Sequence, residues 1–163
     1  MKKQEELGKV AIKGQYMKDL SFENPKAPKI YTEIKELPQI DLSLNVNARA
    51  LEKNLYEVEL NITAKAHIQD TQIFLIDLTY SGIFELIGIE AAQKEAILLI
   101  YCPSIIFPFA RRIISDVSRD GGFQPLMIDP IDFAGLYQQK RADEEQNNSS
   151  NTISKKLNWT NRI

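Results

Sequence analysis

The run Tyr56-Glu57-Val58-Glu59-Leu60-Asn61-Ile62-Thr63-Ala64-Lys65-Ala66-His67-Ile68 alternates without a break between apolar and polar residues. Successive side chains of a strand point to opposite faces, so this run is a strand with one buried face and one wetted face. On its N-terminal side the same pattern occupies Ile40 to Ala50, with Ile40, Leu42, Leu44, Val46, Ala48 and Ala50 set against Asp41, Ser43, Asn45, Asn47 and Arg49. On its C-terminal side, after the Gln69-Asp70-Thr71-Gln72 turn, Phe74, Ile76, Leu78, Tyr80, Phe84 and Leu86 share one face. Leu75, Asp77, Thr79, Ser81 and Glu85 share the other, and Gly82 marks a bulge or a close backbone approach. Connections this short make the three strands antiparallel neighbours. A fourth strand, Gln15 to Glu23, is expected at an edge. There Tyr16, Leu20 and Phe22 oppose Asp19, Ser21 and Glu23, while Lys18 falls on the apolar side. Pro25 and Pro28 end it, since neither can donate to a ladder, and the chain crosses over through Ile30 to Pro38.

Beyond Ile89 the apolar period lengthens to about 3.6, the signature of helix. Two helices are predicted, Glu90 to Tyr101 and Ile105 to Val117, interrupted at Pro103, with Ser104 as N-cap and Gly121-Gly122 as the stop. A loop from Phe123 to Pro130 leads to a last helix over about Ile131 to Lys140, with Asp132 suited to its N-terminal dipole. The expected class is α+β: a four-stranded antiparallel sheet with two main helices packed on one face. Residues 15–141 form the domain, residues 1–14 a flexible segment, and residues 142–163 a polar tail too poor in apolar groups to order itself. In that tail Leu157, Trp159 and Ile163 are either incidental or a weak contact motif.

Several function classes fall away on composition. With 163 residues, 44% hydrophobic and 26% charged, the chain has the content of one globular domain able to fold without disulfides or structural metal. A formal net charge of -2 provides no cationic field for nucleic acid. The charged N-terminus does not read as a secretory signal. The apolar stretches, broken by Pro or polar residues, fall short of the roughly 20 residues of a membrane helix, so a soluble intracellular protein is expected. A lone cysteine, Cys102, fits a reducing compartment. The lone histidine, His67, has no partners for a dyad or a metal site, so neither catalysis nor a cofactor is expected.

What stands out is surplus apolar surface. The first helical region is apolar around much of its circumference, which predicts an isologous oligomer through Ile97, Ile100, Tyr101, Ile106, Phe109 and Ile113; a helix deep in its own core is the alternative. On the wetted side of the sheet Leu75 sits beside Asp77. If the first and last strands pair, Asp19 and Glu23 join them, as solvated charge or as a docking site for a basic partner with an apolar anchor. The crossover residues Ile30, Tyr31, Ile34 and Leu37, with Phe123, Leu126 and Met127, put large apolar groups into loops, as grooves do.

Two long motifs sharpen this reading. Gln15-Tyr16-Met17-Lys18-Asp19-Leu20-Ser21-Phe22-Glu23-Asn24-Pro25-Lys26-Ala27-Pro28 and Tyr101-Cys102-Pro103-Ser104-Ile105-Ile106-Phe107-Pro108-Phe109-Ala110-Arg111 resemble the SecB protein-export chaperones. The likeness extends through Gly82-Ile83-Phe84, Gly88-Ile89-Glu90 and Gly122-Phe123-Gln124-Pro125 to Tyr137, covering about Gln15 to Lys140. The resemblance implies a cytoplasmic ATP-independent holdase. It would be a homotetramer built as a dimer of dimers, keep unfolded preproteins export-competent and pass them to the SecA motor. It further implies that Asp19, Glu23, Leu75 and Asp77 dock the zinc-bearing C-terminal segment of SecA, with Asp77 standing where a longer acid can occur. The client groove it implies contains Tyr31, Ile34, Leu42, Leu44, Phe123 and Tyr137. The crossover departs from relatives that carry a tryptophan there, reading Glu33-Ile34-Lys35-Glu36-Leu37. The alternative is a SecB-like chaperone acting outside export, in toxin–antitoxin control.

Overall fold

The computed structural model describes residues 8–147 and 158–161. Four long antiparallel strands, β1 (Lys9–Glu23), β2 (Gln39–Glu52), β3 (Leu55–Ile68) and β4 (Thr71–Ile87), form a sheet of order β1-β4-β3-β2. The three central runs of alternation are the meander β2-β3-β4, and β1 closes the sheet against β4 at the far edge. The inner parity is buried as the alternation requires: Val58, Leu60, Ile76, Leu78 and Phe84 have no exposed surface.

Several boundaries differ from expectation. β1 begins at Lys9, so Lys9 to Gly14, assigned to a flexible segment, belong to the sheet; of the rest of that segment, Gly8 precedes the strand and residues 1–7 lie outside the described residues. The crossover contains one helical turn, α1 (Ile30–Glu33), whose Ile30 enters the core. The two helices expected on either side of Pro103 are one continuous run of 30 residues from Ala91 to Asp120. It comprises α2 (Ala91–Ala96), a π-helical stretch Ile97–Tyr101 and α3 (Cys102–Asp120). A proline ring clashes with the carbonyl four residues earlier, and the wider π turn just before Pro103 accommodates it. Ser104 is therefore inside the helix and donates to the Tyr101 carbonyl at 2.5 Å instead of capping. By length and composition this run is apolar enough to cross a membrane, contrary to the reading of two short stretches. Part of its apolarity is used in the core, where Ile106, Ala110 and Ile114 are fully covered.

Gly82 marks the close approach of helix and sheet. A Cβ there would lie 2.7 Å from Phe84 Cε2 on the same strand and 3.1 Å from Ile106 Cγ2 on α3, so a side chain would crowd both where helix and sheet meet. After α3, Gly122 turns the chain with φ +86°, and the loop leads to α4 (Phe133–Asn147). The Asp132 carboxylate accepts the Gly135 N–H at 3.0 Å, the N-terminal role expected of it, and α4 continues past Arg141, where the tail was set. Of that tail, β5 (Asn158–Asn161) pairs with β2 over Ile40–Ser43, Trp159 being opposite Leu42; residues 148–157 and 162–163, Leu157 and Ile163 among them, lie outside the described residues.

Candidate functional site

Three apolar clefts are strung along β2, each floored by its inward residues. The first, about 310 Å³, takes Ile40 from β2, Ile30, Tyr31, Ile34 and Leu37 from the crossover, Phe74 from β4, and Phe123 and Leu126 from the long loop. The second, about 190 Å³, lies between Leu42 and Leu44 and the loop residues Ile128 and Ile131. The third, about 110 Å³, lies between Leu44 and Val46 on β2 and Leu99, Leu136 and Tyr137. All six residues assigned to the groove therefore line one of three clefts on the same side of the molecule, and Leu44 is shared by two. Sequence reasoning missed Phe74, Leu99 and Leu136, whose strand or helix periodicity marks them only as core, and Ile128, a loop residue with no periodicity to mark it.

The first cleft is aromatic. Rings of Phe74 and Phe123 are 4.8 Å apart, Tyr31 and Phe123 5.7 Å, and Phe22 and Phe74 6.2 Å, so a line of rings runs from β1 to the crossover. The Tyr31 hydroxyl donates to the Gly121 carbonyl and accepts from the Asn24 amide, both at 2.6 Å, tying the crossover to the start of the proline loop and the end of α3. A Cβ on Gly122 would sit 3.0 Å from the Tyr31 ring and crowd it, while the φ of +86° is what favours glycine there. Leu37, 71% exposed, stands at the mouth.

The opposite, wetted face brings the second predicted set together. In the β1–β4 register Glu23 is opposite Leu75, Ser21 opposite Asp77 and Asp19 opposite Thr79, so Asp19, Glu23, Leu75 and Asp77 share one outward patch. Asp19 and Glu23 are exposed; Leu75 and Asp77 are half-buried. One oxygen of Asp77 accepts from Asn61 Nδ2 at 2.9 Å and from Thr63 Oγ1 at 3.4 Å, which holds the carboxylate upright. The patch is not uniformly acidic, for Lys65 faces Leu75 from β3.

Beside it lies a cluster that the alternation did not distinguish from ordinary solvated charge. Glu57 is only 4% exposed and accepts from the Tyr16 hydroxyl, from Lys18 Nζ at 3.1 Å and from Arg49 Nε at 2.8 Å. These donors, Tyr16 first, hold its carboxyl down at about 2. Lys18 also reaches Glu59 at 2.9 Å.

On the helical run Tyr101 and Phe109 are 51% and 41% exposed, and Ile97, Ile100 and Ile113 are half-buried, leaving an apolar strip open to a neighbour. Ile106, placed in that set, is fully covered beneath α3 and has no surface to offer; its position on the helix faces the sheet. Cys102 is also fully covered, and burial pushes its thiol up to about 12. His67 bonds Asp41 and the Gln69 carbonyl, at 3.0 and 2.9 Å. Among the described residues no group of three or more His, Cys, Asp and Glu could hold a metal ion.

Residues 2–144 match the family described as preprotein translocase subunit SecB. The protein-export protein SecB of Rickettsia akari is 50% identical over 137 residues, covering 83% of this chain and 90% of that one. Its counterpart in Rickettsia bellii is 49% identical over the same span. Among solved structures, a SecB-like chaperone of Mycobacterium tuberculosis, in complex with an antitoxin peptide, superposes with a TM-score of 0.64 at 13% identity. That match covers 75% of this chain and 90% of the other.

Proposed function

Because the chain belongs to the SecB family of export chaperones, we propose that it acts in the cytoplasm, holding unfolded preproteins along the β2 clefts and presenting them to SecA on the opposite face of the sheet. The observation that carries this reading is the separation of the two surfaces. Inward residues Ile40, Leu42, Leu44 and Val46 floor the clefts, while outward residues of β1 and β4 carry the acidic patch. Client and motor then bind at once without competing for the same atoms.

The holding step needs no bond chemistry. An extended apolar segment of a preprotein buries surface worth about 25 cal/mol per Å² in clefts that neither close nor turn over, and several such grooves on one assembly combine weak contacts into long retention. The strip around Tyr101 and Phe109 supports self-association, the first step toward the proposed dimer of dimers, since it leaves large apolar groups uncovered on one chain. The docking step suits a basic, zinc-bearing segment of SecA: Leu75 supplies the apolar anchor, and Asp19, Glu23 and Asp77 the surrounding charge. That the mycobacterial neighbour holds a peptide supports polypeptide binding by this fold. The relatives at half identity are export proteins, which favours export over toxin–antitoxin control.

The test separates the two faces. Static light scattering should give a mass near four chains that rises with SecA, and Leu75→Gln should abolish the rise while leaving client holding intact. Tyr31→Ser with Tyr137→Ser should do the reverse, measured as loss of protection of an unfolded preprotein from aggregation. If both variants impair both activities equally, the two-face assignment fails.

A further inference from the structure

β1 presents its residues in two parities that a straight strand cannot reconcile. Met17 pairs with Tyr80 and Leu20 with Leu78, so an odd and an even residue share the inner side. The register shift between Met17 and Asp19 makes Lys18 the extra residue of a β-bulge, which is why it falls on the apolar side of the sequence pattern. A bulge left to itself can sit at a neighbouring residue, and a one-residue slip would turn Asp19 from the outer face to the inner one.

What holds the bulge at Lys18 is not on β4, its hydrogen-bonding neighbour, but one strand further away. Lys18 and Tyr16 both reach across β4 to Glu57 on β3, and Arg49 meets the same carboxylate from β2. The crossing is possible because Ser81 lies between, opposite Tyr16 on one side and Glu59 on the other, and it is fully covered. Glu57 thus ties β1 and β2 to β3 across β4, and its β1 donors are the bulge residue Lys18 itself, immediately before Asp19, and Tyr16, two places earlier in the strand.

We infer that Glu57 is a positioning residue for docking: through Lys18 and Tyr16 it keeps the bulge in place and so keeps Asp19 and Glu23 on the outer face. This inference rests on the docking reading above. It assigns a function to a carboxylate that is almost fully covered and that lies outside the acidic patch.

A double-mutant cycle tests it. Asp19→Asn is measured in the wild-type chain and in Glu57→Gln, with purified SecA as the titrant and with mass and client holding checked for each variant. The expected result is that Asp19→Asn weakens SecA binding about fivefold in the wild-type background and less than about twofold once Glu57 is gone, since Asp19 is no longer held where it acts. Additive losses, with the same factor in both backgrounds, overturn the positioning role while leaving docking at Asp19 intact. No loss from Asp19→Asn in the wild type refutes the docking reading itself and the inference with it. If Glu57→Gln fails to assemble, Tyr16→Phe, which keeps the ring and removes the hydroxyl that bonds Glu57, carries the same cycle with the same outcomes, whereas Lys18→Met would also break the Lys18–Glu59 pair.

Discussion

Acid should reveal the Glu57 cluster as a defined part of the stability of this protein. Glu57 titrates at about 2 when folded against an ordinary 4.5, because Tyr16, Arg49 and Lys18 bond the charged form. At about 1.4 kcal/mol for each tenfold change in proton affinity, that gap is worth about 3 kcal/mol. The folded value is depressed, so this stability is fully present above the unfolded value of 4.5 and is lost as pH falls toward 2. By pH 3 about 2 kcal/mol of it should be gone. Other carboxylates titrate in the same window, so the comparison is with Glu57→Gln, which cannot titrate there. Urea unfolding at fixed protein concentration, since assembly contributes to apparent stability, is followed from pH 6.5 down to 3. At neutral pH the variant should be about 3 kcal/mol less stable, and by pH 3 that deficit should shrink to about 1 kcal/mol. A deficit that stays constant across the range would show that Glu57 is not held as a buried, paired anion, and would refute the reasoning.

Four further outcomes follow from single contacts. Gly82→Val should lower stability by at least about 1–3 kcal/mol in chemical denaturation, because the added methyls meet Phe84 and Ile106 where helix and sheet touch. Phe74→Ala should cost about 3–5 kcal/mol and also open the first cleft, read as weaker binding of an apolar peptide, since the ring is 2% exposed and packs on Phe123 and Phe22. Tyr31→Phe keeps the ring but removes the hydroxyl that ties Asn24 to Gly121; amide exchange across residues 30–37 should quicken while global stability falls by only about 1 kcal/mol. Cys102 should resist a disulfide reagent at pH 8 in the native state and react at once after denaturation, because burial holds its thiol near 12.

The acidic patch shows how far linear pattern reaches. Leu75 and Asp77 stand at outward positions of an unambiguous strand, so their face was readable before any pairing was known. That Asp19 and Glu23 join them depended on β1 lying against β4, which the shared parity allowed but did not require. Lys18 looked like a flaw in a weak strand because alternation assumes one residue per rung, and a bulge breaks that count. Pro103 likewise looked like a helix break, since local rules forbid an interior proline, whereas a π turn placed before it keeps the rod continuous. The helix face was misjudged at one position: an all-round apolar helix shows that more than one side is covered without showing which side belongs to which neighbour, and Ile106 faces its own sheet.

The residue pattern by itself determined the strands, the helical region, the inner and outer faces of the sheet and the loops that carry apolar groups, because these depend on periodicity within one segment. Only the tertiary structure decided that the Tyr31, Leu42 and Tyr137 clefts form a line along one strand, and that Glu57 on β3 is bonded from β1 and β2 at once. Those relations join residues distant in the chain, and their geometry is set by register, bulge position and the depth at which a helix settles over a glycine. No local preference of the separate segments encodes them.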